Sequence, residues 1–353
     1  SAHAADEVAA RPADGLTIGV MSDPHYFPAE YQGTRAEDYQ SQISGDLRLM
    51  GENEALTEAA VDQMIADDES GEHPLPSVLL VTGDLSSEGE QTSHEGFAEQ
   101  MTRLQEAGVT VLVIPGNHDL YNDSAMTFQD DTQVRDNGTG ELYTTEAEFR
   151  DIYASMGYDE EATKAAVDDN PIESIEYYRP VEDGQIADCQ GGLSYVARLE
   201  GGVALVMIDT EVYTTDFNGN SVAAGSGGGM MSDALRDWVK SEAAELTSEG
   251  YTIVAGVHHP VLDHQTTAET EFVTDRVDVQ SGEGGTAKDN ANVIATELAD
   301  AGIHYVFSGH MHENDVASYT TAAGNVIYDM ETGGLCAYPS PYRYATITTT
   351  EAG

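Results

Sequence analysis

Five apolar runs in this chain each end in residues that bind hard metal ions or handle phosphate. Leu16–Met21 leads into Asp23-Pro24-His25, and Val78–Thr82 into Gly83-Asp84. Val109–Pro115 leads into Gly116-Asn117-His118-Asp119, Ile253–Val257 into His258-His259-Pro260, and Tyr305–Ser308 into Gly309-His310-Met311-His312. Carboxylates, an amide oxygen and imidazoles suit Mn, Fe, Zn or Ni, and none of the clusters offers a thiolate to select a softer ion. His310 and His312 would fall on the same side of an extended segment and serve two neighbouring metals. A carboxylate such as Asp84 can bridge two ions held roughly 3.5–4 Å apart. Gly83, Gly116 and Gly309 stand just before ligands, where the chain must turn sharply and approach a metal closely. Taken singly, Asp-Pro-His reads as a turn and Gly-Asp-Leu as nothing in particular. The joint pattern of five clusters at strand ends carries the inference.

The elements that must hold these clusters are legible from periodicity. Strands are predicted at Leu16–Met21, Val78–Val81, Val109–Ile114, Ile253–Val257, Tyr305–Phe307, Val326–Met330 and Tyr344–Thr349. Tyr195–Leu199 and Val203–Ile208 read as a pair joined by a Gly201-Gly202 turn. Helices are predicted at Glu54–Asp67, Phe97–Ala107, around Ala147–Met156, and at Ala234–Leu246 and Val293–Ala301. Alternation of strand and helix argues an α/β architecture, parallel at first and mixed later. In such folds ligands gather outside the carboxyl ends of the strands, where all five clusters lie. The glycine run Gly225–Gly229 reads as a mobile loop.

Composition narrows the function classes. The chain of 353 residues is 40% hydrophobic and carries 64 Asp and Glu against 14 Lys and Arg, a formal charge of −50. Such a surface repels nucleic acid and anionic membranes, so no nucleic-acid groove is expected. No apolar run reaches the roughly 18 residues of a membrane span. Cys189 and Cys336 sit in no zinc-finger or redox spacing; they could pair in one disulfide in an exported protein or stay free and buried. The Ala-rich polar opening SAHAADEVAARPADG reads as an end left by signal cleavage or as a simple boundary, and export is the favoured expectation.

At these residues the sequence resembles the calcineurin-like metallophosphoesterase superfamily, with every signature position filled between Leu16 and about His312. Ser22–Tyr26, the Gly-Glu…Ser-His-Glu stretch after Asp84, Leu193–Val196 and the Glu331–Arg343 region further resemble a bacterial subgroup, often exported, of cyclic-nucleotide-phosphodiesterase-like proteins. The resemblance implies a four-layer αββα sandwich of two mixed sheets flanked by helices, with the metal site at the strand ends. A tail over 1–14 would precede one domain over 15–353, with a cap-like insertion at about 121–192. One metal would be held by Asp23, His25, Asp84 and His312, and the other by Asp84, Asn117, His258 and His310. His258 is preferred to His259 because the family's ligand stands two residues before the proline, and because neighbouring side chains on a strand face opposite ways. His118 would sit beside the metals with Asp119 orienting it.

The expected activity is hydrolysis of a small-molecule phosphodiester, with a cyclic nucleotide as one candidate. A metal-bridging hydroxide would attack phosphorus in line, and His118 would protonate the leaving alkoxide. Two divalent ions, two carboxylates and a hydroxide leave the centre locally about +1, so an acidic protein can still bind phosphate. Substrate contacts are expected from Tyr26, His264, Tyr338 and Arg343, whereas His94 and His304 read as structural. The same core would serve a phosphomonoesterase of nucleotidase or acid-phosphatase type. A catalytically silent secreted binding module is the rival of another class. The segments Tyr121–Gly192 and Ala29–Glu54 are long enough to cover the site and set substrate choice.

Overall fold

The computed structural model describes residues 15–33, 37–45, 48–128, 132–179, 191–215, 221–223, 228–264, 277–279 and 292–348. Cys189 and residues 1–14 lie outside them, as does most of the glycine run, of which Gly229 opens a short strand, Gly229–Met231.

Eleven strands build two sheets: β1 Thr17–Met21, β2 Val78–Thr82, β3 Thr110–Ile114, β4 Ile172–Tyr177, β5 Tyr195–Leu199, β6 Val203–Ile208, β7 Thr252–Val257, β8 Tyr305–Ser308, β9 Asp315–Thr320, β10 Val326–Glu331 and β11 Arg343–Thr346. The first sheet runs β11-β1-β2-β3 and the second β9-β10-β8-β7-β6-β5-β4. Strands β1, β2 and β3 are parallel, as are β6, β7, β8 and β10, while β4, β5, β9 and β11 pair antiparallel. This is a mixed α/β sandwich with helices on its flanks.

Burial explains the layering. β2, β3 and β6 are buried along their whole length, as strands covered on both faces must be. Helices α2 (Asn53–Ser70) and α3 (Gln91–Glu106) bury Val61, Met64, Phe97, Met101 and Leu104 in one core with the first sheet and the facing side of the second. Helices α6 (Asp233–Ser248) and α7 (Val293–Asp300) bury Leu235, Val239, Leu246, Ile294 and Leu298 against the other side of the second sheet. The Ser232 side chain caps α6 by accepting the Leu235 N–H. Among the described residues no helix is long and apolar enough to cross a membrane.

The segment at 121–192, expected as a cap, is divided. Phe149, Tyr153, Met156 and Tyr158 belong to the first core, and β4 is the edge strand of the second sheet. Its first part borders the site: Asn122 donates to Glu88 at 3.0 Å and to the His118 carbonyl at 3.1 Å. Three smaller helices, α1 (Glu37–Gly45), α4 (Glu146–Ile152) and α5 (Glu160–Ala165), also lie among the described residues.

Candidate dinuclear metal centre

Parallel strands bring their carboxyl ends to one edge, and both sheets contribute to that edge. β1 delivers Asp23 and His25, β2 Asp84, β3 Asn117 to Asp119, β7 His258 and β8 His310 and His312. The turns are tight. Gly116 packs so closely on Asp84, and Gly309 on Ser22 and Asp23, that a β-carbon at either place would collide with them. Asp23, His25, Asp84, His310 and His312 all have left-handed backbone, with φ of 49°, 44°, 52°, 76° and 57°. His310 and His312 therefore leave the strand in a turn, not along the extended segment that alternation assumes.

The side chains meet in two groups that share Asp84. Asp84 Oδ2 lies 3.4 Å from His25 Nε2 and 3.2 Å from His258 Nε2. Asp23 Oδ1 lies 3.3 Å from His312 Nε2 and 3.9 Å from His25 Nε2. On the other side Asn117 Oδ1 is 3.1 Å from His258 Nε2, and the His258 and His310 rings are 5.1 Å apart. His259 turns to Thr210 Oγ1 at 2.8 Å, although its ligand atoms still fall within 4.8 Å of those of His258 and His310.

This donor set fits cations. His258 Nδ1 must donate to the Thr82 carbonyl at 2.7 Å, so a neutral ring turns the lone pair of Nε2 toward Asp84 and Asn117. Three acceptors then face one another in a buried place, which only a positive charge resolves. Asp23 Oδ1 is likewise buried without a hydrogen-bond partner. Burial lowers the His258 pKa, yet Asp84 overrides it and lifts the imidazole to about 10. Burial also disfavours ionised Asp84, but His258, His118 and His25 hold its carboxyl well below the usual range. A proton on these imidazoles occupies the place a metal would take.

His118 stands at the rim, 29% exposed, and its partner differs from the one expected. Its Nδ1 donates to Glu88 at 2.9 Å. Burial would lift the Glu88 carboxyl, but the His118 contact and Arg48 hold it down at about 2. Asp119 instead ties loops together, accepting from Leu85 N, Ser86 N, Ser86 Oγ and Gly116 N at 2.7–3.0 Å. A carboxylate saturated by donors that frame Asp84 holds the Asp84 loop in place, and His118 is not among these partners. His94 backs it, with Nε2 2.9 Å from the Asp119 carbonyl and Nδ1 2.9 Å from the Tyr153 hydroxyl, so its structural assignment agrees with its place.

Three of the four expected substrate contacts are engaged with other partners. Tyr26 is 3% exposed and packs on Phe97, its ring locked in the core. Arg343 donates to the Glu331 carbonyl at 2.8 Å and to Asn314, and lines a groove of 670 Å³ that contains none of the seven ligand candidates. Tyr338 is 93% exposed in solvent. His264 has a 2% exposed ring whose Nδ1 is 3.0 Å from Asp315 and Nε2 3.4 Å from Asp329, leaving neither nitrogen for a phosphate. Burial lowers its pKa, but Asp329 and Asp315 raise it to about 9. A folded value above the unfolded ~6.5 gives stability that is full below pH ~6.5 and lost as pH rises through 9. The melting temperature of the wild type should therefore exceed that of His264→Gln most at pH 6, with the gap closing by pH 10. A gap independent of pH would remove the ion pair from the account.

Sequence reasoning missed several neighbours. Glu88, Arg48, Asp209, Glu211 and Cys336 all lie at or under the cluster. Asp209 and Glu211 follow β6 in the same strand-end pattern, and that rule could have found them. Cys336 is a free buried cysteine, its Sγ 3.8 Å from His312 Nδ1 and its N–H on the Asp23 carbonyl at 3.1 Å.

The family match agrees with this geometry. The family described as Calcineurin-like phosphoesterase matches residues 16–314. A protein named Probable cyclic nucleotide phosphodiesterase, from Vesicomyosocius okutanii subsp. Calyptogena okutanii (strain HA), is 41% identical over 51 residues, which is 14% of this chain and 21% of that protein. Among solved structures, a dimetal phosphatase from Danio rerio is similar with a TM-score of 0.48 and 13% identity, covering 95% of this chain and 93% of the other. The sulfate thiohydrolase SoxB of Thermus thermophilus gives 0.37 and 12%, over 96% and 57%. With five strand ends meeting in one acidic and imidazole cluster, and the family match spanning all of them, this chain belongs to the calcineurin-like phosphoesterases.

Proposed function

We propose that the protein hydrolyses a phosphodiester, with cyclic nucleotides among the candidate substrates. The observation that carries phosphoester hydrolysis is a pair of ligand groups sharing Asp84, with a non-ligand imidazole, His118, at their exposed rim. Asp23, His25, Asp84 and His312 would hold one metal, and Asp84, Asn117, His258 and His310 the other. When bound, such metals would supply a nucleophile at neutral pH and positive charge for the phosphoryl oxygens.

The protein's own groups do the rest. Glu88 accepts from His118 Nδ1 and so leaves Nε2 as the nitrogen that hands a proton to the leaving oxygen. Asn117 turns its Oδ1 to His258 Nε2 within the second ligand group, and Asp119 keeps the β2 and β3 loops in register. The diester preference draws support from the cyclic nucleotide phosphodiesterase-like relative, whose similarity covers a short stretch.

The test is a chromogenic diester beside the matching monoester, with manganese-loaded protein. The diester should be favoured by about ten-fold or more in kcat/KM. The opposite preference makes the protein a phosphomonoesterase, and turnover of neither with both metals bound makes it a binding module.

A further inference from the structure

We propose that Arg48 is the clamp for the substrate's phosphoryl group, presented beside His118 by Glu88. This deepens the phosphoesterase reading above and rests on it. Arg48 is one of 14 basic residues in a chain of net charge −50, yet its guanidinium sits at the metal cluster. Nη1 lies 3.3 Å from His118 Nδ1 and 3.4 Å from His25 Nδ1, and donates to the Ser87 carbonyl at 3.1 Å. Nη2 pairs with Glu88 at 2.7 Å. The Arg48 side chain is 17% exposed, so it reaches the mouth without leaving it.

The backbone is built to put it there. Leu49, the next residue, has left-handed backbone with φ 50°, a strained choice for a leucine. The Leu49 carbonyl accepts from Glu52 N at 2.8 Å, closing a turn that enters α2. The first residue of that helix, Asn53, donates its amide to the His25 carbonyl. The turn that positions Arg48 is thus fastened to the metal-ligand loop.

A guanidinium fork matches two phosphoryl oxygens, and its charge persists at any working pH. Arg48 stands at the Nδ1 edges of His118 and His25, so a phosphoryl group brought up to His118 Nε2 would lie beside its guanidinium. Glu88 serves both: it fixes the imidazole and it holds the guanidinium at the rim. Its negative charge competes with phosphate for that same guanidinium, which keeps the clamp from gripping product too hard.

The experiment is calorimetric titration of inorganic phosphate into manganese-loaded wild type, Arg48→Met and Glu88→Gln, with metal content measured in each. Arg48→Met should weaken phosphate binding roughly ten- to a hundred-fold at unchanged manganese stoichiometry. Binding within about two-fold of the wild type, or no phosphate binding by the wild type, overturns the clamp. If Arg48→Met fails to fold or to load manganese, Glu88→Gln decides. Removing the competing charge while keeping an acceptor should tighten phosphate several-fold, about three to ten, and unchanged or weaker binding overturns the proposal. A wild type that binds phosphate through Arg48 yet hydrolyses no ester refutes the activity proposed above and leaves the clamp standing.

Discussion

Asp84→Asn should lower turnover by at least about a thousand-fold and strip the protein of bound metal. Asp84 touches both ligand groups through one oxygen, at 3.4 Å to His25 and 3.2 Å to His258. Its other oxygen accepts the His118 N–H at 2.9 Å, so the carboxylate also fixes the backbone of the proposed acid. Asparagine has the same shape but replaces an anionic oxygen with an N–H donor. Turned toward the cluster, that donor repels a cation; turned away, it faces the His118 N–H. Two metal sites therefore suffer from one substitution, whereas loss of His312 or His310 would touch one each. The check is elemental analysis of the purified variant beside steady-state kinetics. Two metals per chain with wild-type turnover would end the bridging role.

His118→Ala should behave differently, with kcat down roughly a hundred- to ten-thousand-fold and metal content unchanged. His118 donates its Nδ1 proton to Glu88 and lies at the rim, with its ring 5.0 Å from that of His25. Nothing in that geometry asks it to ligate. Loss of a proton donor slows departure of a poor leaving group most, so an activated aryl ester should lose less than an alkyl ester. Comparing the two esters in the variant separates acid catalysis from a general collapse of the site. Equal falls in metal content and turnover would make His118 a ligand instead.

The core of this molecule was legible because its strands are short, apolar and followed by chemistry. Val78–Val81 and Val109–Ile114 are predicted and found nearly to the residue, since buried parallel strands need continuous apolar runs. Strand β4 escaped for a physical reason. A register shift between Ile172 and Ser174 places its buried residues, Ile172 and Ile175, three apart, which reads as helix. Strand β9 escaped because it is an exposed edge with little apolar signal. Helix α3 begins at Gln91, six residues before the expected start, because its first turns bury Ser93 and His94 and not aliphatic residues.

The same division holds at the site. Ligand candidates announce themselves by type and by position after a strand, and all seven come together. Their supporting partners do not. Glu88 lies four residues from Asp84 in a polar loop, and Arg48 in a stretch with no pattern at all. Asp119, adjacent to His118 in sequence, points away from it because side chains one apart diverge, so adjacency misled the assignment of the partner. Tyr26 failed in the same way, since the residue after His25 turns into the core.

The five left-handed ligand positions bear on how the protein is assembled. Each such backbone is disfavoured for a non-glycine residue by about 1 kcal/mol or more, so together they rival the net stability of many domains. The two large apolar cores are built from other residues, although Asp23, His25 and Asp84 are themselves buried. Hydrogen bonds hold some of them, Asp23 N to the Gly83 carbonyl at 3.1 Å and His25 N to the Asp84 carbonyl at 2.9 Å, and bound ions would reward them further. Were these residues to ligate as proposed, folding and arming would become separate events, and metal supply would be the step that decides when the chain begins to work.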